Sequence, residues 1–199
     1  ITALAPGRFA IAINQPPLPQ GALARVARGA GADFLGLAVD WLAIRPERWR
    51  HRGLPPAHLL RLVCDTAPDY AAALAMLRDT PLAAGAIFSL AGIKSGEAVV
   101  IERAEASHAV IKAAPIAAAA NGWQGIANPG APRWRYSAER HAAMTALLAG
   151  PVPRDFGWLK PPIANEGSRL ATMMSPATGK LELLGMEGGV AVTQPLYLN

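Results

Sequence analysis

Cysteine occurs once in the 199 residues, at Cys64. A disulfide scaffold is excluded, because a bridge needs two thiols. Aromatic residues make up only 6%, so Ala, Leu and Val must fill much of the interior. Long apolar runs are missing too. The stretch from Leu82 to Ile93 is broken by Gly85, Ser89 and Gly92 and falls short of the roughly 18 residues of a membrane span. The four histidines, His51, His58, His108 and His141, lie far apart, so a zinc site would need tertiary convergence. The sequence has no GxxxxGK[ST] phosphate loop, no GxGxxG after a strand, no HExxH and no GxSxG elbow. No metal or cofactor is expected.

Hydrophobic residues reach 52%, so the chain can bury enough surface to offset its ordering entropy and is not disordered as a whole. The length suits one domain, residues 1–199. The chain opens Ile1-Thr2-Ala3-Leu4 without Met, and residues 9–13 already read as a core strand. The expectation is a domain incomplete at its N-terminus. No leader is visible, and with the single cysteine this inclines the expected location to the cytoplasm. The net charge is +5, compatible with ordinary solubility or with an anionic partner. Arg45, Arg48, Arg50 and Arg52 cluster near Trp41 and Trp49; they read as a solvated face or as a site for phosphates or headgroups. Basic residues are otherwise scattered, so no nucleic-acid partner is expected.

Phe9 to Ile13 reads as a buried strand, stopped by Pro16, Pro17 and Pro19. Residues 21–33 read as a loop or loose helix, and residues 34–44 as an apolar helix or strand. Pro55-Pro56 opens a helix through Leu59, Leu60, Leu62 and Val63. A second helix is predicted from Thr66, with the hydroxyl as N-cap, Pro68 in the first turn and Asp69 near the positive dipole end. It runs past Leu77 to Thr80-Pro81. Residues 86–90 and 97–103 read as a hairpin turning at Lys94-Ser95-Gly96. Residues 108–112 and 115–120 read as two further strands. Ser137 to Leu148 reads as a helix capped by Ser137, with Arg140 in the box position, where it reads as anchoring the helix start by a salt bridge or as touching substrate. Arg169–Met174 and Lys180–Leu184 form a last hairpin around residues 176–179. Hairpins with grouped helices point to an α+β fold, helices packed on one face of a sheet.

Two residues invite chemical readings. Cys64 lies in the apolar helical run LLRLVCD, where a buried thiol is the plain reading and a nucleophile would need an adjacent base. Asn121 follows four alanines and precedes Gly122. It reads as a turn residue, or as an amide that donates to a developing oxyanion.

Several segments in order resemble the acid ceramidase and N-acylethanolamine-hydrolysing acid amidase family, N-terminal-nucleophile hydrolases related to the penicillin acyltransferases. The segments are GRFAIAINQ, DYAAALAMLRDTPLAAGAIFSLAG, GEAVVIER, Asn121-Gly122-Trp123, Glu139-Arg140 and TMMSPATGKLELL. The resemblance spans nearly the whole chain. It implies a four-layer αββα sandwich and a Cys nucleophile freed at a new N-terminus by self-cleavage. That thiolate would attack a linear amide through an acyl-enzyme, with the α-amino group as base. Asn121 matches the family's oxyanion-hole Asn, and Asn14 the residue ending the early strand near the active site. Gln15 stands where the lipid amidases have Glu, and Pro16 where they have Arg. Gln15 and Trp123 are the expected substrate contacts; Trp123 and Trp158, with Met173 and Met174, read as acyl-pocket lining or as core.

The family's Cys, and the Arg and Asp that follow it, match nothing here. The resemblance therefore implies that the nucleophile, with some N-terminal strands, lies on preceding polypeptide or a companion chain. The expected function is hydrolysis of, or acyl transfer from, a small-molecule or lipid amide. The alternative is a non-catalytic binding module on the same scaffold.

Overall fold

A computed structural model describes residues 1–17, 53–104, 108–112, 116–127, 130, 136–151 and 153–198. The expected loop at 21–33, the apolar stretch at 34–44 and the Arg45–Arg52 cluster fall outside these residues.

The chain opens on a hairpin of which the sequence pattern shows only half. Strand β1 (Thr2–Ala5) turns through Gly7, at φ 71, into β2 (Phe9–Asn14). Strands β3 (Ala86–Gly92), β4 (Ala98–Arg103) and β5 (His108–Lys112) follow. The five pair antiparallel in the order β1-β2-β3-β4-β5. Side chains alternate between the faces of a strand and align across paired strands. Register therefore places Ile13, Phe88 and Ile101 in one row and Ile11, Leu90 and Val99 in the next.

This face carries helices α1 (Pro56–Thr66) and α2 (Tyr70–Asp79). Pro56 opens α1, where a missing N–H costs nothing. Leu59, Leu60 and Val63 of α1, with Ala73 and Leu77 of α2, join Phe9, Phe88 and Ile101 in the main core. Burying a side chain of that size contributes about 1.5–3 kcal/mol.

The connection between these helices differs from expectation. Thr66 ends α1, its hydroxyl donating to Leu62 O at 2.7 Å, and Asp69 caps α2 by accepting from Ala72 N at 2.8 Å. A carboxylate with extended backbone, just before the first turn, meets the free N–H groups that Thr66 is too distant to reach. Asp69→Ala is expected to cost about 1 kcal/mol of stability, read as a lower urea midpoint.

The C-termini of both helices are held by arginines of the sheet. Arg8 donates to the carbonyls of Ala67 and Cys64, and Arg103 to Leu77 O at 2.5 Å and Thr80 O at 2.9 Å. A cation there satisfies free carbonyls and opposes the negative dipole end.

The last part of the chain makes a second antiparallel sheet. Strands β6 (Leu170–Ser175), β8 (Val190–Ala191) and β9 (Leu196–Leu198) all pair with β7 (Lys180–Glu187). The hairpin expected at residues 169–184 is present; β8 and β9 are additions too short to show a period. A smaller core of Ala164, Ala171, Leu184 and Met186 lies on this sheet, against Phe156 and Leu159. The sheets touch at their turns, where Gly7 N donates to Pro176 O at 2.8 Å.

Helix α3 (Ser137–Leu148) completes the described elements, apart from the 3-10 turn Phe156–Trp158. Two expectations fail in this region. Residues 116–120 form no strand. Ala119 O accepts the Asn14 side chain at 3.2 Å instead of a ladder N–H. Ser137 does not cap α3. Tyr136, at φ 59, takes that place, and Ser137 Oγ is engaged by Asn121 N at 2.9 Å. Among the described residues the architecture is α+β, two antiparallel sheets with three helices.

Candidate active site

The face of the first sheet away from α1 and α2 is buried as well, at Ala10, Ile87, Val100 and Glu102. Register sets Asn14, Ile87 and Glu102 in one row across β2, β3 and β4. The two polar members of that row hold the segment 119–126. Asn14 Nδ2 donates to Ala119 O. Glu102 accepts three successive backbone N–H groups, from Gln124 at 2.5 Å, Gly125 at 2.9 Å and Ile126 at 3.1 Å. A buried carboxylate is tolerated when such donors surround it.

Between these anchors sits Asn121, and its side-chain amide is held at both ends. Arg140 Nη2 donates to Asn121 Oδ1 at 2.7 Å, and Asn121 Nδ2 donates to Gln15 O at 2.7 Å. The arginine fixes which end of the amide is the oxygen, since a guanidinium only donates. The amide nitrogen carries two hydrogens, and the second has no partner among the described residues. Ser137 and Arg140 both reach Asn121 because residues three apart share one side of a helix.

Asn121, Arg140 and Gln15 line an open cleft of about 640 Å³, completed by Ile163, Asn165 and Arg169 on the path into β6. Of the expected site residues, the structure brings Asn121 and Gln15 together here. Asn14 is not among the lining residues, and one N–H of its amide goes to Ala119 O. Trp123 is not among them either. It lies by Gly85, where an added Cβ would come within 3.8 Å of the indole. Trp158, Met173 and Met174 likewise stand off the cleft.

Arg140 is the residue whose part sequence reasoning misplaced. It has no carboxylate at ion-pair distance among the described residues, and it grips the Asn121 amide instead of anchoring its helix by a salt bridge. Burial lowers its pKa from the ordinary arginine value, and its Nε is buried with no hydrogen-bond partner among the described residues. The i, i+3 pair Ser137 and Arg140 was the available signal, read as a helix cap.

Cys64 lies elsewhere, on α1 against the main core. Burial pushes its thiol pKa up, against a smaller lowering by Arg8 and a further small rise from Asp65. A raised pKa means less thiolate at neutral pH, the reverse of an activated nucleophile.

The sequence matches no family model, and no curated protein matches it. The fold is similar to that of a solved Caenorhabditis elegans N-acylethanolamine-hydrolyzing acid amidase ortholog. The TM-score is 0.56, the identity is 19%, and the likeness covers 88% of this chain and 69% of that one. At that identity it is a likeness of fold, and in fold this chain is built like that amidase over most of its length.

Proposed function

We propose that these residues form the main part of a linear-amide hydrolase or acyltransferase, with its sheets and helices stacked as an αββα sandwich. The observation that carries this reading is the Asn121 amide. It is fixed at the edge of a cleft, oxygen to Arg140 and one N–H to Gln15 O, with its second N–H unspent among the described residues. A preorganised donor of this kind stabilises the oxyanion of a tetrahedral intermediate without reorganising during the reaction. The fold likeness to an amidase supports the same reading.

The attacking thiolate is assigned to polypeptide outside these 199 residues. Support for this comes from the only cysteine here, whose burial suppresses its thiolate and whose position is away from the cleft. The thiolate adds to the amide carbonyl, the amine leaves with a proton, and water or a second amine takes the acyl group from sulfur.

The test is trapping of the acyl-enzyme. The complete gene product is incubated with a fluorogenic N-acyl amide, quenched in acid, and mapped by mass spectrometry. The expected result is amine release with an acyl group on a cysteine other than Cys64. Acylation of Cys64, or no amine release from any amide tried, overturns the reading. No release with binding intact would instead identify a binding module.

A further inference from the structure

The lining of the cleft includes Arg140 and Arg169 with Gln15, Asn121 and Asn165, and among the described residues it holds no carboxylate-bearing residue. Among the described residues Arg169 is held by carbonyls, its Nη1 donating to Glu166 O at 2.7 Å and Ser168 O at 3.1 Å. That grip orients the guanidinium without neutralising it. Arg140 is likewise held by a neutral oxygen. Neither has an acidic partner within ion-pair distance among the described residues; Arg8 and Arg103 also lack one, but each of those closes a helix C-terminus. Two arginines lining one cleft, with no acidic partner among the described residues, favour an anion there over a neutral group. Arginine holds carboxylates through two parallel N–H bonds, a geometry lysine lacks. Ile163 and Leu170 on the same lining provide apolar contact beside the charge.

We propose that this cleft takes an amide bearing a carboxylate, held by Arg169 together with Arg140. Binding of the carboxylate stands by itself; cleavage of that compound rests on the amidase reading above. Neutral lipid amides leave both guanidinium groups without a counterion and bind less well.

The experiment is calorimetric titration of the complete gene product with N-octanoylglycine and with its neutral counterpart N-octanoylethanolamine, at low and high salt. The expected result is about tenfold or greater preference for the carboxylate, weakening with salt. Arg169→Gln should remove most of the preference for the carboxylate probe, the remainder being held by Arg140. Arg169→Lys keeps the charge and should hold an intermediate preference, which separates lost charge from a disturbed loop. Arg61→Gln, remote and exposed, should keep the full preference. Equal binding of the two probes, no binding of the carboxylate, or full preference in Arg169→Gln overturns the proposal. The amidase reading fails separately, through absence of amine release from a compound that still binds.

Discussion

Replacing Asn121 with alanine should lower amide turnover of the complete protein by about two to three orders of magnitude while leaving the fold intact. Loss of one oxyanion donor removes about 2.7–4 kcal/mol of transition-state stabilisation. The interaction forms as charge develops, so kcat should fall with little change in KM. Alanine also leaves Arg140 and Gln15 O without their partner at 121. A second variant separates the Arg140 part of that disturbance from the lost donor, Gln15 O losing its partner at 121 in both. Asn121→Asp keeps the shape and the oxygen that Arg140 grips but carries no N–H. It should lose turnover to a similar degree despite a retained Arg140 contact. Thermal melting of both variants within a few degrees of the parent checks the fold. Normal turnover in Asn121→Ala would remove residue 121 from the chemistry.

Glu102→Ala should be among the most destabilising single changes, at about 3–5 kcal/mol. Three consecutive backbone donors converge on this one carboxylate, which is fully buried. Removing it strands those donors and opens a cavity beside Ile87, its neighbour in register. Glu102→Gln should cost less, because it keeps one acceptor oxygen, yet its NH2 must face a backbone N–H. Denaturant unfolding measures both. Because the same carboxylate pins residues 124–126, close after Asn121, folded Glu102→Gln protein should also lose turnover. A Glu102→Ala midpoint within about 0.5 kcal/mol of the parent would show that the segment is held by other contacts.

Elements with strong local signals are legible in the sequence. The alternation in Phe9 to Ile13, the leucine spacing after Pro55-Pro56 and the β-branched run at Val99 to Ile101 each describe a face that must be buried. The turn at Lys94-Ser95-Gly96 is legible for a similar reason. Gly96 supplies the positive φ of 82, and Glu97 folds back to accept Ile93 N and Lys94 N, both at 3.0 Å. The alanine run ahead of Asn121 misleads, because alanine tolerates strand, helix and coil alike and its own pattern names no partner. Strands β8 and β9 are invisible in the sequence because two or three residues carry no period.

The sequence by itself determined the α+β composition, the main hairpins, the three helices of the described residues and the suspicion attached to Asn121. Only the tertiary structure decided that Asn121 lines a cleft while Asn14 reaches Ala119 O, and that Arg140 grips an amide rather than an acid among the described residues. The reason is distance along the chain. Asn121 meets Gln15 across 106 positions and Asn14 meets Ala119 across 105. Local propensity is set by near neighbours, whereas strand register aligned Asn14 with Glu102 and so placed the segment between them.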